Sequence, residues 1–216
     1  MKYILGLGAL LLMLNSNVQG QKTAQATAIK LANKYGVKKF KNVNNLAYTF
    51  NVQRDTTTTS RSWNWDVKRN IITMTTPKEK VTYQRDTITT KEMKAVDARF
   101  INDQYWLLYP FHVVWDAGTT LTLKEDTLSP IGKQKTMMLT VQYNKVGGYT
   151  PGDAYDLFID KNYRLLEWVF RSGGAAKPSL MTTWESTIKA KGLTIATNHV
   201  NETGKFRIFF TGVTVE

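Results

Sequence analysis

The residue types that most often bind metals or act as nucleophiles are scarce in this chain. It has two histidines, His112 and His199, and no cysteine. A zinc site would then need carboxylates for most of its ligands, which is uncommon. His112 lies among Phe111, Val113 and Val114, a setting typical of a hydrogen-bonded structural histidine. We therefore expect neither a metal site nor a cofactor, and disulfides and thiol chemistry are excluded.

Three carboxylates could serve a glycosidase, because each is adjacent to a tryptophan in a predicted strand. Such an enzyme needs only two facing carboxylates, and an acid beside tryptophan suits a sugar-binding cleft. Neighbouring residues of a strand point to opposite faces, however, which predicts acids that face outwards and tryptophans that face inwards. A carboxylate hydrolase is therefore the weakest function considered. The pairs are Asp66 with Trp65, Glu167 with Trp168 and Glu185 with Trp184.

The glycine-rich segment at residues 146–153 has no phosphate-binding motif. Gly147 and Gly148 lack the spacing of a nucleotide-binding loop and precede no predicted helix, so they indicate a turn. Asp153 and Asp156 lack the alternating oxygen ligands of a calcium loop, and we expect them to be turn residues. Because the chain also has no Gly-x-Ser-x-Gly elbow, we predict that it is not an enzyme.

Large aromatic residues at inward positions are the remaining candidates for a binding site. A large curved sheet often leaves a cavity, and aromatic walls would favour a hydrophobic ligand. The alternative is that the same side chains simply fill the core. The candidates are Tyr48, Phe50, Trp63, Trp65, Phe100, Trp106, Phe111, Trp115, Trp168 and Trp184.

The elements that must position these side chains are mostly strands. Apolar and polar residues alternate in about ten segments after residue 45, as in Leu46, Tyr48, Phe50 and Val52, and this period is typical of antiparallel sheet. No helices separate the segments, which excludes a parallel α/β fold. We predict a mainly β (α+β) fold: a large curved antiparallel sheet, or unclosed half-barrel, with an N-terminal helix and short covering helices.

Helical periodicity is clearest from Ala24 to Tyr35, with Thr23 as the predicted N-cap and Gly36 as the terminating residue. Residues 100–116 hold more apolar side chains than one strand face can bury, and Pro110 interrupts them. With residues 91–98, they are predicted to cover the open side of the sheet. Residues 56–59 and 160–162 are predicted hairpin connections.

The N-terminal segment resembles an export signal. Lys2 precedes a short apolar run at residues 4–14, and compact residues follow at 18–20, as in a secretory signal peptide. The run is shorter than the ~20 residues that span a bilayer. We therefore expect a signal peptide at 1–20, cleaved before Gln21, and a single domain at 21–216. No cysteine follows to carry a lipid anchor, so a periplasmic protein that is not integral to the membrane is predicted.

The charge is strongly basic. Without the signal peptide, 28 basic residues stand against 17 acidic ones, a net charge of +11. Export argues against nucleic acid as the partner. The densest cluster is Lys30, Lys34, Lys38, Lys39 and Lys41, which could attract an anionic envelope surface at ~1 kcal/mol per charge. The favoured interpretation is a solvated basic face, because no five basic residues are adjacent.

Several of these features occur together in a known family. The residues concerned are Asn102, Asp103, Tyr105, Trp106, Leu107 and Pro110, the loop VGGYTPGDAY at 146–155, LFID at 157–160 and Glu167-Trp168. Over most of residues 23–216 the chain resembles an uncharacterised family of exported bacterial proteins in the lipoprotein-carrier-like (LolA/LolB-like) superfamily. The resemblance implies an unclosed half-barrel whose concave face is covered by helices and holds lipid-like chains.

The resulting hypothesis is a periplasmic, non-enzymatic binding or carrier protein for an acyl-chain or lipid-like molecule, held inside the curved sheet. Burial of the chain would drive binding, at ~0.8 kcal/mol per methylene, and movement of residues 91–110 would release it. The alternative is an envelope protein-interaction module with a filled core and no ligand.

Overall fold

The N-terminal helix is longer than the sequence pattern predicts. The computed structural model describes the backbone of residues 5–216 and the side chains of residues 20–216, so the predicted signal peptide lies almost wholly outside the residues whose side chains are described. Helix α1 spans Leu5–Tyr35 and continues through Thr23, so the predicted N-cap there is wrong. Leucine and alanine before Thr23 favour helix, and nothing breaks the hydrogen-bonding pattern. Gly36 ends the helix as predicted, in the left-handed conformation (φ 91°).

Two antiparallel sheets form the body of the fold. The first has seven strands in the spatial order β10-β11-β12-β1-β2-β3-β4, and the second has five in the order β5-β6-β7-β8-β9. The strands are β1 (Asn45–Arg54), β2 (Thr57–Asp66), β3 (Ile71–Thr75), β4 (Lys80–Gln84), β5 (Thr119–Leu128), β6 (Lys135–Tyr143), β7 (Ala154–Ile159), β8 (Leu165–Arg171), β9 (Leu180–Thr183), β10 (Glu185–Ala190), β11 (Leu193–Val200) and β12 (Phe206–Val215). The predicted fold class, mostly β and unclosed with an N-terminal helix, is confirmed.

The two sheets meet at one corner instead of forming the single sheet that was predicted. Trp184 separates β9 from β10, so consecutive strands enter different sheets. At this corner the Val200 backbone N–H donates to Thr183 Oγ1 at 3.0 Å, which holds β9 beside β11. A twisted sheet of more than about ten strands usually splits or curls in this way.

The predicted hairpins are confirmed in one case and corrected in the other. Residues 160–162 lie in the connection between β7 and β8, as predicted. Residues 56–59 are mostly strand, since β2 begins at Thr57 and pairs it with Arg54. The turn is therefore only Asp55 and Thr56, with Asp55 at φ 50°. The β-branched threonines favour the strand.

One long helix covers the concave side of the sheets. Helix α2 spans Lys91–Trp115, and its N-cap Thr90 accepts a hydrogen bond from the Met93 backbone N–H at 3.2 Å. The covering position of this segment is as predicted, and its 25 residues form two helical stretches joined by a kink. Leu108 alone departs from helical geometry (φ −119°). It lies two residues before Pro110, which has no N–H to bond the Trp106 carbonyl.

A buried ion pair attaches α2 to the first sheet. Arg61 on β2 donates to both carboxylate oxygens of Asp103, at 2.5 and 2.6 Å. Trp63 Nε1 and Asn102 Nδ2 donate to the same carboxylate at 2.7 and 3.0 Å. Burial raises the pKa of Asp103, whose side chain is 0% exposed, and Arg61 opposes that rise. Asp103 is thus the main polar anchor between helix and sheet.

No helix among the described residues is both long and apolar enough to cross a bilayer. Helix α1 instead packs on α2 and β5. The Tyr35 hydroxyl accepts from the Leu165 backbone N–H at 3.2 Å, which ties α1 to β8.

Replacing Asp103 with alanine should lower the free energy of unfolding by about 3 kcal/mol, because the buried donor of Trp63 and the partly buried guanidinium of Arg61 would lose their acceptor. Urea denaturation followed by tryptophan fluorescence would measure the change. Asp126→Ala is the matched control, because it removes an exposed carboxylate paired with Lys135. A loss at Asp103 no larger than the loss at Asp126 would show that the buried pair does not anchor α2.

Candidate functional site

Four adjoining clefts lie around α2, and Tyr149 lines all of them. Their volumes are about 330, 690, 530 and 430 Å³. We call the first the inner cleft and the second the basic cleft, and the whole set the α2 groove. Tyr105 lines the inner cleft, the basic cleft and the 430 Å³ cleft. The four clefts are therefore neighbours around Tyr149 and Tyr105.

The inner cleft lies between α2 and the second sheet, and most of its lining is apolar or aromatic. The remaining lining residues are polar side chains near its rim. It is lined by Ala98, Ile101, Asn102, Tyr105, Trp106, Tyr149, Thr150, Asp153, Tyr155, Trp168, Phe170 and Leu180.

The basic cleft lies between α2 and the 3₁₀ turn Val37–Asn42 that follows α1. Its floor is aromatic: Phe40 contacts Trp115 with ring centroids 4.8 Å apart, and Trp65 at 5.7 Å. Its lining also includes cationic residues. It is lined by Val37, Lys38, Phe40, Lys41, Trp65, Arg85, Ile101, Gln104, Tyr105, His112, Trp115, Asp116 and Tyr149.

The ten aromatic residues proposed from the sequence divide into two groups. Trp106 and Trp168 line the inner cleft, and Trp65 and Trp115 line the basic cleft; all but Trp115 are also part of the buried core. Trp115 is the most accessible of the ten, with 38% exposure. The other six are buried in the core and line none of the four clefts. They are Tyr48, Phe50, Trp63, Phe100, Phe111 and Trp184.

Helix α2 itself fills the space in which those six residues were expected to leave a cavity. Phe100 lies 5.4 Å from Trp63 and 5.5 Å from Trp65 between ring centroids, in edge-on contacts. On the other side, Trp106 lies 4.5 Å from Trp168. The concave face is therefore core at these positions, and the open space is beside the helix.

A tyrosine–histidine–aspartate cluster stands in the wall of the groove. Tyr105 and Tyr143 donate to Asp116 Oδ2 at 2.6 and 2.7 Å. His112 Nδ1 lies 2.9 Å from Asp116 Oδ1, and its ring stacks on Tyr105 at 4.0 Å. Burial alone would raise the pKa of Asp116, but His112 and the two hydroxyls hold it below its usual value. Asp116 is thus an ionised carboxylate whose oxygens are already bonded.

The sequence contains a signal for this cluster that is not among the predicted sites above. His112 and Asp116 are four residues apart at the end of a helical segment, a spacing that brings side chains together. The histidine is hydrogen-bonded, as predicted, but its partner was not identified. Among the described residues no hydroxyl bonds His112, whose Nε2 is buried without a partner, and no group of three metal-binding side chains occurs.

The glycine-rich segment bridges the two sheets over the α2 groove. The Tyr149 hydroxyl accepts from Arg85 Nη2 at 2.5 Å, and the Arg85 guanidinium lies 5.3 Å from the Tyr149 ring centroid. Arg85 follows β4, whereas Tyr149 lies between β6 and β7. Gly147 and Gly148 have φ values of 81° and 72°, with no atoms within 4 Å of an added Cβ. This confirms a turn there, and residues 144–153 form what we call the Tyr149 loop.

The aspartates near this loop have different roles. Asp153 is a turn residue as predicted, accepting from the Thr150 hydroxyl and from the Gly173 backbone N–H. Asp156 is not: it lies in β7, accepts from Arg171 at 2.8 and 3.0 Å, and accepts from Thr140 at 2.6 Å. Side chains in β7 alternate between the two faces of the sheet, and Asp156 takes its place in that alternation.

The prediction of outward, solvated acids is wrong for Glu167. It faces away from Trp168 as alternation requires, but it is 2% exposed because residues 129–134 cover it. Its carboxylate accepts from Ser129 Oγ and from the backbone N–H groups of Ile131 and Gly132, each at 2.7 Å. Glu167 therefore holds a loop, while Glu185 is exposed and Asp66 is partly exposed.

His199 is a buried, neutral histidine on the opposite side of α2. Burial lowers its pKa to about 3, partly offset by the carbonyls of Thr183 and Trp106. Its ring lies 4.1 Å from Trp184 and 5.5 Å from Trp106. The Trp106 carbonyl is the one that Pro110 leaves without a helical donor. His199 thus stands beside the irregular turn of α2, where it has a structural role.

The comparisons with known proteins identify the fold alone. No family model and no curated protein matches this sequence. The structure is similar to that of a DUF1329 family protein from Desulfovibrio piger, with a TM-score of 0.51 and 8% identity, over 91% of this chain and 93% of that one. At this identity the likeness shows the fold alone, and it agrees with the predicted unclosed, mainly β architecture.

The depressed pKa of His199 predicts a loss of stability in mild acid. The unfolded chain would bind a proton at the usual pKa of about 6.5, whereas the folded chain resists it down to about 3. The contribution of neutral His199 to the free energy of unfolding is therefore fully present above pH 6.5. It falls as the pH is lowered, with a slope approaching ~1.4 kcal/mol per pH unit. Between pH 6.5 and 5, before most carboxylates titrate, His199 should account for about 1.5 kcal/mol of that loss.

Urea unfolding of the wild type and of His199→Gln at pH 6.5 and 5 would measure this contribution. Glutamine keeps a donor but does not titrate, so the variant should lose about 1.5 kcal/mol less over the interval. His112→Gln is the matched control, as it removes the other histidine. An identical pH dependence in wild type and His199→Gln would refute the assignment.

Proposed function

We propose that this protein is a non-enzymatic binding or carrier protein for a hydrophobic molecule with an acyl-chain-like body. The observation that carries the proposal is the α2 groove, in which four clefts adjoin around Tyr149 and two of them have aromatic walls. The largest cleft, at 690 Å³, lies within the range of about 300–1,000 Å³ usual for ligand sites. The LolA/LolB-like fold is compatible with this role.

Desolvation would supply the binding energy. Each methylene removed from water contributes ~0.8 kcal/mol, so an extended chain needs a long apolar surface more than any particular polar contact. Ile101 lines both the inner and the basic cleft, and further along α2 Trp106 lines the inner cleft and Trp115 the basic cleft. A chain could therefore lie along the helix, in contact with both clefts.

The ligand position differs from the one expected from sequence. The concave face is core at the six buried positions, so the proposed site is in the clefts beside α2, under the Tyr149 loop. Movement of α2 would break the Arg61–Asp103 ion pair. We therefore do not expect this helix to move when a ligand enters or leaves. The Tyr149 loop is held across the groove by Arg85 and has glycines at its tip. We therefore assign entry and release to this loop.

The site of action remains the periplasm in this proposal, on the basis of the signal-peptide pattern at residues 1–20. The second candidate, an envelope protein-interaction module, is favoured by the burial of six predicted cavity residues. It would use the exposed apolar side chains of the Tyr149 loop, Val146 at 87% and Tyr149 at 59%. The two candidates differ in whether a small hydrophobic molecule binds.

Ala98→Trp should weaken the binding of a neutral probe, hexadecanol, by about tenfold, because the indole would occupy the inner cleft. Ala98 is exposed on α2 and lines that cleft, so the substitution adds bulk without opening the core. Displacement of a polarity-sensitive fluorescent probe by hexadecanol would give the affinity.

Ala95→Trp is the matched control, since Ala95 is exposed on the same helix and lines none of the four clefts. Equal affinity in the two variants would place the ligand elsewhere. If wild-type protein neither binds the probe nor releases lipid on solvent extraction and mass spectrometry, the carrier function is wrong.

A further inference from the structure

The mouth of the basic cleft carries cations without partners. Lys38 and Lys41 line this cleft from the 3₁₀ turn Val37–Asn42, and both are exposed. Neither ammonium group forms a hydrogen bond or ion pair with any described residue. Lys68 Nζ lies 2.6 Å from the Lys41 carbonyl oxygen. A third positive charge therefore stands beside this turn, although Lys68 lines none of the four clefts.

The acidic groups nearby do not neutralise this rim. Asp116 is the one carboxylate among the residues that line the basic cleft. Its oxygens already accept from Tyr105 and Tyr143 and contact His112. Arg85 also lines the cleft, but its charge is paired with Asp97 at 2.9 Å. The unpaired charge that faces the opening is therefore that of the two lysines.

An apolar floor lies directly beside these lysines. Phe40 is in the same turn as Lys38 and Lys41, and its ring is buried against Trp115 and Phe111. Ile101 continues the apolar surface along α2 into the inner cleft. The basic cleft thus combines an apolar floor with a cationic rim. Such a surface matches a molecule that has an apolar chain and an anionic end.

We propose that the ligand of the α2 groove is an anionic amphiphile whose acidic headgroup is bound by Lys38 and Lys41. This inference rests on the proposed carrier function, and it adds the chemical class of the ligand. The chain lies on the floor formed by Phe40, Trp115 and Ile101, and the headgroup reaches the rim. Carboxylate and phosphate headgroups share this chemistry, because ammonium groups act as point charges toward either.

The placement of the lysines favours a single amphiphile over a flat anionic membrane surface. Lys38 and Lys41 line a concave cleft, whereas Lys34 and Lys39 belong to the same basic segment and line none of the four clefts. The Lys39 side chain instead packs beside Gly192, where its Cγ would lie 3.2 Å from an added Cβ. A flat anionic membrane would attract all four lysines to a similar extent. Salt screens exposed charges, so only a general electrostatic attraction to the surface would remain.

The test compares three probes of equal chain length: palmitate, hexadecyl phosphate and hexadecanol. Full-length protein should bind one or both anionic probes about tenfold more tightly than the neutral alcohol. The double variant Lys38→Glu/Lys41→Glu should lose that advantage and keep its affinity for hexadecanol. The matched control Lys34→Glu/Lys39→Glu changes the charge equally and should bind all three probes as wild type does. Thermal unfolding would verify that both variants remain folded.

The outcomes separate this inference from the carrier function. Equal wild-type affinity for all three probes overturns the headgroup assignment while the carrier function stands. Binding of none of them overturns the carrier function itself. If both double variants lose anion binding equally, or if phosphatidylglycerol vesicles bind the protein and the two variants weaken that binding equally, the basic segment acts as a surface patch and the proposal is wrong. Preference for palmitate or for hexadecyl phosphate identifies the headgroup.

Discussion

The buried ion pair between Arg61 and Asp103 fixes helix α2 inside the curve of the two sheets. A carboxylate at 0% exposure is costly to bury unless donors surround it, and here Arg61, Trp63 and Asn102 supply four hydrogen bonds. Those donors come from β2 and from α2 itself, so the carboxylate is satisfied only when helix and sheet are correctly docked. Hydrophobic contacts would allow the helix to slide, whereas this pair specifies one register.

Docking of α2 decides where a ligand can bind. Once Phe100 and Trp106 are packed against the tryptophans of the two sheets, the concave face has no room at those positions. The remaining space lies beside the helix, where the Tyr149 loop of the second sheet contacts Arg85, which follows β4 of the first sheet. An unclosed sheet makes this arrangement feasible, because its free edges leave a gap that a loop can bridge.

The irregular turn of α2 shows how the core tolerates a proline. Pro110 removes one helical hydrogen bond and leaves the Trp106 carbonyl without its donor, and His199 stands beside that carbonyl from β11. After this turn the helix continues to Asp116. The Asp116 carboxylate accepts hydrogen bonds from Tyr105 and Tyr143 and contacts His112. The helix therefore ends in a largely buried polar cluster that forms part of the wall of the groove.

Alternation and composition determined the elements, because the side-chain period of a strand and the stripe of a helix are local properties. The sequence by itself predicted the antiparallel strands, the helix end at Gly36, the covering segment and the inward orientation of its tryptophans. Other features depended on residues far apart in the chain: the split into two sheets at Trp184, the burial of Glu167 under residues 129–134, and the division of ten aromatic residues between core and groove. Whether an apolar side chain fills a core or lines a cleft depends on what packs opposite it, and only the tertiary structure brings that partner into place.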